Sequence, residues 1–415
     1  MWAVQSATVS WTELNGGVTA PEGFQAAGVV AGLKASGRPD LSLLVAPEGA
    51  ACAGTFTTSC VRAACVDLCA QRLQSHGDQM RAVLTNSGQA NACTGSHGLQ
   101  DSLRATHSVA ERLGVDPAQV LICSTGVIGV PIPMEALLAG IDPLVQALDG
   151  EGGPAAAEAI LTTDLVSKQI ALEGTIAGRP VRIGGMAKGS GMIHPDMATM
   201  LGYLTCDAGV PLDAWRQMVS RAVDRSFNAI TVDGDTSTND SFLAFAAGPD
   251  LQQEHWPALE DGVTRVAQHL ARAIARDGEG ASCLIEVSVR GTRHEAEALK
   301  MARTVCGSSL VKTAIHGRDP NWGRIVAAAG RSGISFDLGD VALWLGSHQL
   351  MQAGQPLDFD RKAASAELRA CAQGTYLKND CVRIGLVVGD GSASAKAWGC
   401  DLSDQYVRIN ADYTT

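Results

Sequence analysis

Short apolar runs that alternate with amphipathic helical stretches predict a mixed α/β protein, with hairpin-containing sheets packed against helices rather than a regular βαβ series. Composition supports this class. The chain is 46% hydrophobic and 18% charged, so it can bury a large core. Its 46 glycines, set against 7 Phe, 7 Trp and 4 Tyr, suit tight turns and close backbone packing better than aromatic-lined pockets. Single cores seldom grow beyond roughly 250–300 residues, so 415 residues imply more than one lobe.

Taken in order, Asp40–Ala46, Arg81–Thr85 and Val120–Ser124 read as buried strands. Asp101–Leu113 has helical periodicity and stops at Gly114, which suits a left-handed cap. Met134–Ala139 reads as a short helix and Glu151-Gly152-Gly153-Pro154 as a flexible loop. Gln169–Ile176 and Arg179–Gly184 alternate apolar with polar residues around Ala177-Gly178, the pattern of a hairpin. Pro211–Arg225 is an amphipathic helix, Ala229–Val232 a strand, Val263–Arg276 a helix, Leu284–Val289 a strand and Glu295–Val305 a helix. Tyr406–Ile409 reads as a strand that ties down the C-terminus.

The formal net charge of −11 argues against nucleic-acid binding, which draws its affinity from clustered cations that release counterions from phosphates. No apolar run reaches the ~20 residues of a membrane span. The start Met1-Trp2-Ala3-Val4-Gln5-Ser6 lacks the basic and apolar regions of a secretory signal, so a cytoplasmic location is expected. The 12 cysteines lack CxxC spacing and mostly lie in apolar runs such as Leu121-Ile122-Cys123, the setting of reduced core residues.

The chemistry concentrates in the glycine-rich stretch from Gly184 to Gly191, which continues through His194 and Asp196 to Ala198-Thr199 and then into an apolar strand, Met200–Leu204. It is a poor phosphate cradle, because Lys188 is followed by Gly189 where a P-loop needs Ser or Thr. His194 and Asp196 lack a second histidine at helical spacing, so a metal site is a poor reading too. On residue types alone the stretch is a flexible loop that delivers Ala198-Thr199 to a strand.

Met186-Ala187-Lys188-Gly189-Ser190-Gly191-Met192-Ile193-His194-Pro195-Asp196-Met197-Ala198-Thr199-Met200-Leu201 closely resembles the self-processing segment of the ornithine acetyltransferase family, also called glutamate N-acetyltransferase or ArgJ. Further blocks resemble the family in family order: Asn86–Gly95, Ser124–Gly129, Ser226–Asp240 and Asp319–Arg324. Together they span nearly the whole chain.

The resemblance implies a DmpA/ArgJ-like fold and a precursor that cuts itself at Ala198-Thr199. Residues 1–198 and 199–415 would then be two interlocked chains, paired into a heterotetramer. It makes Thr199 the nucleophile. A threonine hydroxyl is weak at this task, but the cut frees an α-amine of pKa about 8 on the same residue that can serve as its base. The resemblance places the oxyanion hole at Thr125 and Gly126 and the substrate contacts at Thr162, Lys188, Thr199, Glu279, Asn410 and Thr415. Thr162 is preferred over its neighbour Thr163. Lys188 offers a cation for a carboxylate, and Glu279 an anion for ornithine's terminal ammonium.

The implied reaction is ping-pong acetyl transfer from N-acetylornithine to glutamate, within arginine biosynthesis, with no metal or bound organic cofactor. Whether acetyl-CoA also charges Thr199 is left open. The rivals are an N-terminal-nucleophile amidase or aminopeptidase, in which water accepts the acyl group, and a non-catalytic ligand-binding relative.

Overall fold

Period-two burial organises the first half of the chain. In the strand Leu41–Val45, Leu41 and Leu43 face one apolar cluster and Leu44 the other. The computed structural model describes residues 9–194 and 200–412, and in it the chain divides into two compact units. One comprises Met1–Gly189, Asp196–Phe227 and Thr236–Leu270, and the other Ser190–Pro195, Asn228–Asp235 and Ala271–Thr415. Each draws on sequence from both sides of the Ala198-Thr199 bond. The mixed α/β class expected from the sequence is the one the chain adopts.

The first unit holds two sheets. The smaller orders its strands Gln25–Val29, Leu41–Val45, Ala82–Gln89 and Val120–Val127, antiparallel except for the last, parallel pair. The larger has six strands, Thr12–Leu14, Lys168–Ile176, Arg179–Lys188, Leu201–Cys206, Ser241–Ala246 and Ala51–Phe56. A shared apolar layer joins Leu44, Val83 and Leu121 of the smaller sheet to Met186, Tyr203 and Phe245 of the larger. Within it the buried Tyr203 hydroxyl is satisfied at 2.8 Å by Thr85, as burial of a polar atom requires. On the other face of the smaller sheet, the helices Gly95–Leu113 and Met134–Gln146 supply Ala105, Val109, Leu137 and Ile141.

The second unit is built on a seven-stranded sheet in which Leu284–Thr292 runs parallel to Cys381–Val387 and antiparallel to Ala393–Cys400. Ile285, Val287 and Val289 alternate onto a core closed by the helix Glu295–Cys306 through Ala298, Met301, Ala302 and Val305. The Asp319–Arg324 block caps a helix here. Asn321 accepts the Arg324 N–H at the start of Trp322–Gly330.

Most elements fall where the pattern puts them, with longer ends. Gly114 ends its helix at φ 68°, and Ala177-Gly178 turns the hairpin at φ 52° and 76°. Three readings are corrected. The expected loop Glu151–Pro154 runs into the helix Gly153–Ala159, with Pro154 in its first turn. Gly152 there serves close packing, since a Cβ would lie 1.8 Å from the Ala26 oxygen. The hairpin strand read as Arg179–Gly184 continues to Lys188, so 185–188 belong to a strand and not to the expected loop. The C-terminal segment is the helix Asp404–Asp412 and not a strand. Tyr406 and Ile409 suit a helix by their i,i+3 spacing, and Asp404 pairs with Arg408 one turn on.

Eight cysteines are buried, and all twelve are free. No helix among the described residues is long and apolar enough to cross a membrane.

Candidate active site

Lys188 ends the strand Arg179–Lys188 and is only 4% exposed. Its ammonium donates to Thr162 Oγ1 at 2.8 Å and to Thr125 Oγ1 at 3.2 Å. Of the two neighbouring threonines, Thr162 is thus the one whose hydroxyl meets the lysine. Thr125 and Gly126 lie inside the strand Val120–Val127, beyond the end read from the sequence, and pair in parallel with Ser87 and Gly88. Gly126 adopts φ +132°, and a Cβ there would come 2.3 Å from the Gly88 carbonyl carbon. Only glycine permits this approach, which leaves the strand end as bare backbone beside the Thr125 hydroxyl.

Beneath this group, Asp164 accepts from Lys168 Nζ and the Gly189 N–H, each at 2.7 Å, and from the Thr162 N–H at 3.0 Å. Neither side chain of the Lys168–Asp164 pair has exposed surface. Burial alone would raise the Asp164 pKa, but the charges of Lys168 and Lys188 and these hydrogen bonds hold it well below the usual carboxylate range. Nearby, Asp240 is also wholly buried, and there burial prevails and pushes the carboxyl well up. Two ammoniums therefore face one firmly ionised carboxylate. Such an excess of positive charge suits a ligand carboxylate.

Lys34 adds a third cation. Its Nζ donates to the Leu161 and Pro39 carbonyls at 2.6 and 2.8 Å, and burial lowers its pKa to about 8, assisted by Arg38 and Lys188 and opposed by Asp40 and Asp164. Sequence reasoning missed Lys34, Lys168 and Asp240. An isolated lysine reads as solvated, and no local pattern announces that Lys34 meets the Leu161 carbonyl 127 residues away or that the Lys168–Asp164 pair, only four residues apart, is buried.

In the second unit, the segment read as a flexible loop is pinned over residues 190–194. Asp233 accepts the Met192 and Ile193 N–H groups at 2.6 and 2.9 Å, Ser190 Oγ donates to the Asp277 carbonyl at 2.6 Å, and His194 Nδ1 lies 3.1 Å from Thr231 Oγ1. Gly191 lies against Glu279, with a Cβ position 2.6 Å from its carboxyl carbon, so a side chain there would push the Glu279 carboxylate aside. Glu279 in turn accepts from Asn410 Nδ2 at 2.7 Å, so these two expected substrate contacts meet through the terminal helix. Ala198, Thr199 and Thr415 lie outside the described residues. Among the described residues, no cluster of three or more His, Cys, Asp or Glu side chains could hold a metal ion.

A mixed α/β fold that buries ammoniums beside threonine hydroxyls at the end of a strand has the charge and hydrogen-bond donors to hold a small anion. The ArgJ family model matches residues 25–415. The arginine biosynthesis bifunctional protein ArgJ of Prochlorococcus marinus (strain MIT 9313) is 70% identical, over 100% of this chain and 97% of its own. That of Parasynechococcus marenigrum (strain WH8102) is 67% identical, over 98% of this chain and 97% of its own. The ornithine acetyltransferase of Mycobacterium tuberculosis, solved in complex with ornithine, is 44% identical over 45% of this chain and 98% of its own, with a TM-score of 0.41. The chain belongs to the ArgJ family.

Proposed function

We propose that the chain is a glutamate N-acetyltransferase of arginine biosynthesis that moves the acetyl group of N-acetylornithine to glutamate through an acetyl ester on Thr199. The observation that carries this reading is the buried Lys188 ammonium bridging Thr125 and Thr162, one strand end away from bare Gly126 backbone. In this reading the precursor cuts itself at Ala198-Thr199, and the new α-amine takes the hydroxyl proton as Thr199 attacks the acetyl carbonyl. Thr125 and the Gly126 N–H stabilise the oxyanion. Lys188 and Thr162 hold the substrate carboxylate, while Glu279, Asn410 and Thr415 serve the ammonium end of ornithine. Ornithine leaves, and glutamate enters to take the acetyl group.

The chemistry asks for no metal or bound organic cofactor, and acetyl-CoA is a candidate second donor. The two chains stay together and pair as a heterotetramer. Denaturing mass spectrometry of the wild type should show fragments that begin at Met1 and Thr199, and Thr199→Ala a single chain without transferase activity. An intact wild-type chain with full transfer would overturn the role of the cut. Ornithine release that proceeds as fast without glutamate would instead mark a hydrolase.

A further inference from the structure

The Asp319–Arg324 block has no part in the reaction as outlined. Its first residues form one wall of a hollow of about 490 Å³ in the second unit, within the roughly 300–1,000 Å³ of small-ligand clefts. The facing wall is the helix Arg361–Ala372. Its Arg361, Ser365 and Arg369 recur every four residues and so share one stripe, with Lys362 beside them. The hollow thus gathers four cations, Arg318, Arg361, Lys362 and Arg369, around one carboxylate, Asp319, in a chain whose net charge is −11. Apart from Pro320 its lining offers no apolar side chain, so charge selects the occupant.

The fold leaves most of this charge unspent. Among the described residues, the exposed Lys362 ammonium and Arg369 guanidinium meet no acceptor. Arg361 lies over the Phe359 ring and reaches Asp319 only at 3.5 Å in the open, a pair worth little in water. Arg318 is held in place at a backbone cost. The left-handed stop of the helix Ser309–His316 falls on Arg318, at φ +59°, and not on Gly317, at φ −73°, although glycine is the residue that fits such a stop. The Arg318 guanidinium donates to the Ile315 carbonyl at 2.8 Å and to Ser282 Oγ at 2.9 Å, so it is fixed before any ligand arrives.

We propose that this hollow binds a small phosphate-bearing anion, with Arg318 as its fixed wall and Arg361, Lys362 and Arg369 as the cations that meet it. Planar guanidinium forks match two phosphate oxygens at once, and the lysine adds a point charge. The amides at the helix start are not the ligands, since Asp360 already takes the Lys362 and Ala363 N–H groups. The proposal rests neither on Thr199 nor on acetyl transfer.

Inorganic pyrophosphate is the probe. Titration calorimetry of the full-length protein at fixed ionic strength should show one saturable site with a Kd below about 1 mM. Replacing both unpartnered cations, Lys362→Ala with Arg369→Ala, should weaken it about tenfold or more. The melting temperature without pyrophosphate should stay at the wild-type value, because neither side chain has a partner to lose. Absence of saturable heat would overturn the proposal. So would equal affinity in the double variant, which would place the anion elsewhere, as at Lys188. A melting temperature that falls along with the affinity would assign the cations to the fold instead. Citrate at the same ionic strength should bind about tenfold more weakly or worse, and equal binding would overturn the assignment to phosphate.

Discussion

The lysine cluster of the first unit and the Glu279–Asn410 pair of the second hold charge in opposite ways. Lys188, Asp164 and Lys168 are each at most 4% exposed, and Asp164 alone takes three donors that lie two, four and twenty-five residues away in sequence. Glu279 and Asn410 share one hydrogen bond at the surface, near a chain end. Burial makes the first group rigid and costly to disturb. Exposure leaves the second screened by water and free to adapt. Under the proposed reaction, an α-carboxylate common to N-acetylornithine and glutamate would suit the first arrangement, and a side-chain ammonium carried by N-acetylornithine and not by glutamate the second.

The sharpest way to break this comparison is Lys188→Met. With the cation gone, the Thr125 and Thr162 hydroxyls lose a shared donor, and kcat/KM should fall by roughly a thousandfold, the scale of losing a positioned charge in a dry site. A drop below tenfold in steady-state assays would show that the ammonium is structural.

Asp164→Asn comes next and reads stability. Stranding two buried ammoniums should cost about 3–5 kcal/mol in denaturant unfolding. The effect depends on pH with a definite sign. The folded pKa of Asp164 lies below its unfolded value, so its contribution is complete above about pH 4 and is lost as the pH falls through the lower, folded value. The gap between wild type and variant should therefore narrow in acid. A gap that widens there would contradict the burial argument.

Glu279→Gln should have the smallest effect. Removing a half-exposed charge should raise KM for N-acetylornithine about tenfold while leaving KM for glutamate and the melting temperature nearly unchanged. Equal effects on both substrates would erase the difference between the two regions.

Patterns that repeat along the chain were legible in the sequence. Strand alternation, the Ala177-Gly178 turn and the Gly114 cap all follow from local sterics and side-chain period. So was the candidacy of Lys188, Thr125 and Gly126, through blocks read in order. Local pattern misled where glycine stood for packing, as at Gly152, because a missing Cβ looks the same whether it frees a turn or admits a neighbouring carbonyl. It also misled at Tyr406–Ile409, where four apolar-rich residues fit either period.

The sequence alone determined the family, the mixed α/β class and the residues from which a site could be drawn. Only the tertiary structure decided that Lys168 neutralises Asp164, that Lys34 is driven to a pKa of about 8 and that Asp240 grips the amide after Thr199. Protonation and partnership depend on desolvation and on distances of a few ångströms. Lys34 and Asp240 owe theirs to segments far apart in the chain coming to lie side by side, and the Lys168–Asp164 pair, four residues apart, owes its burial to the elements packed over it.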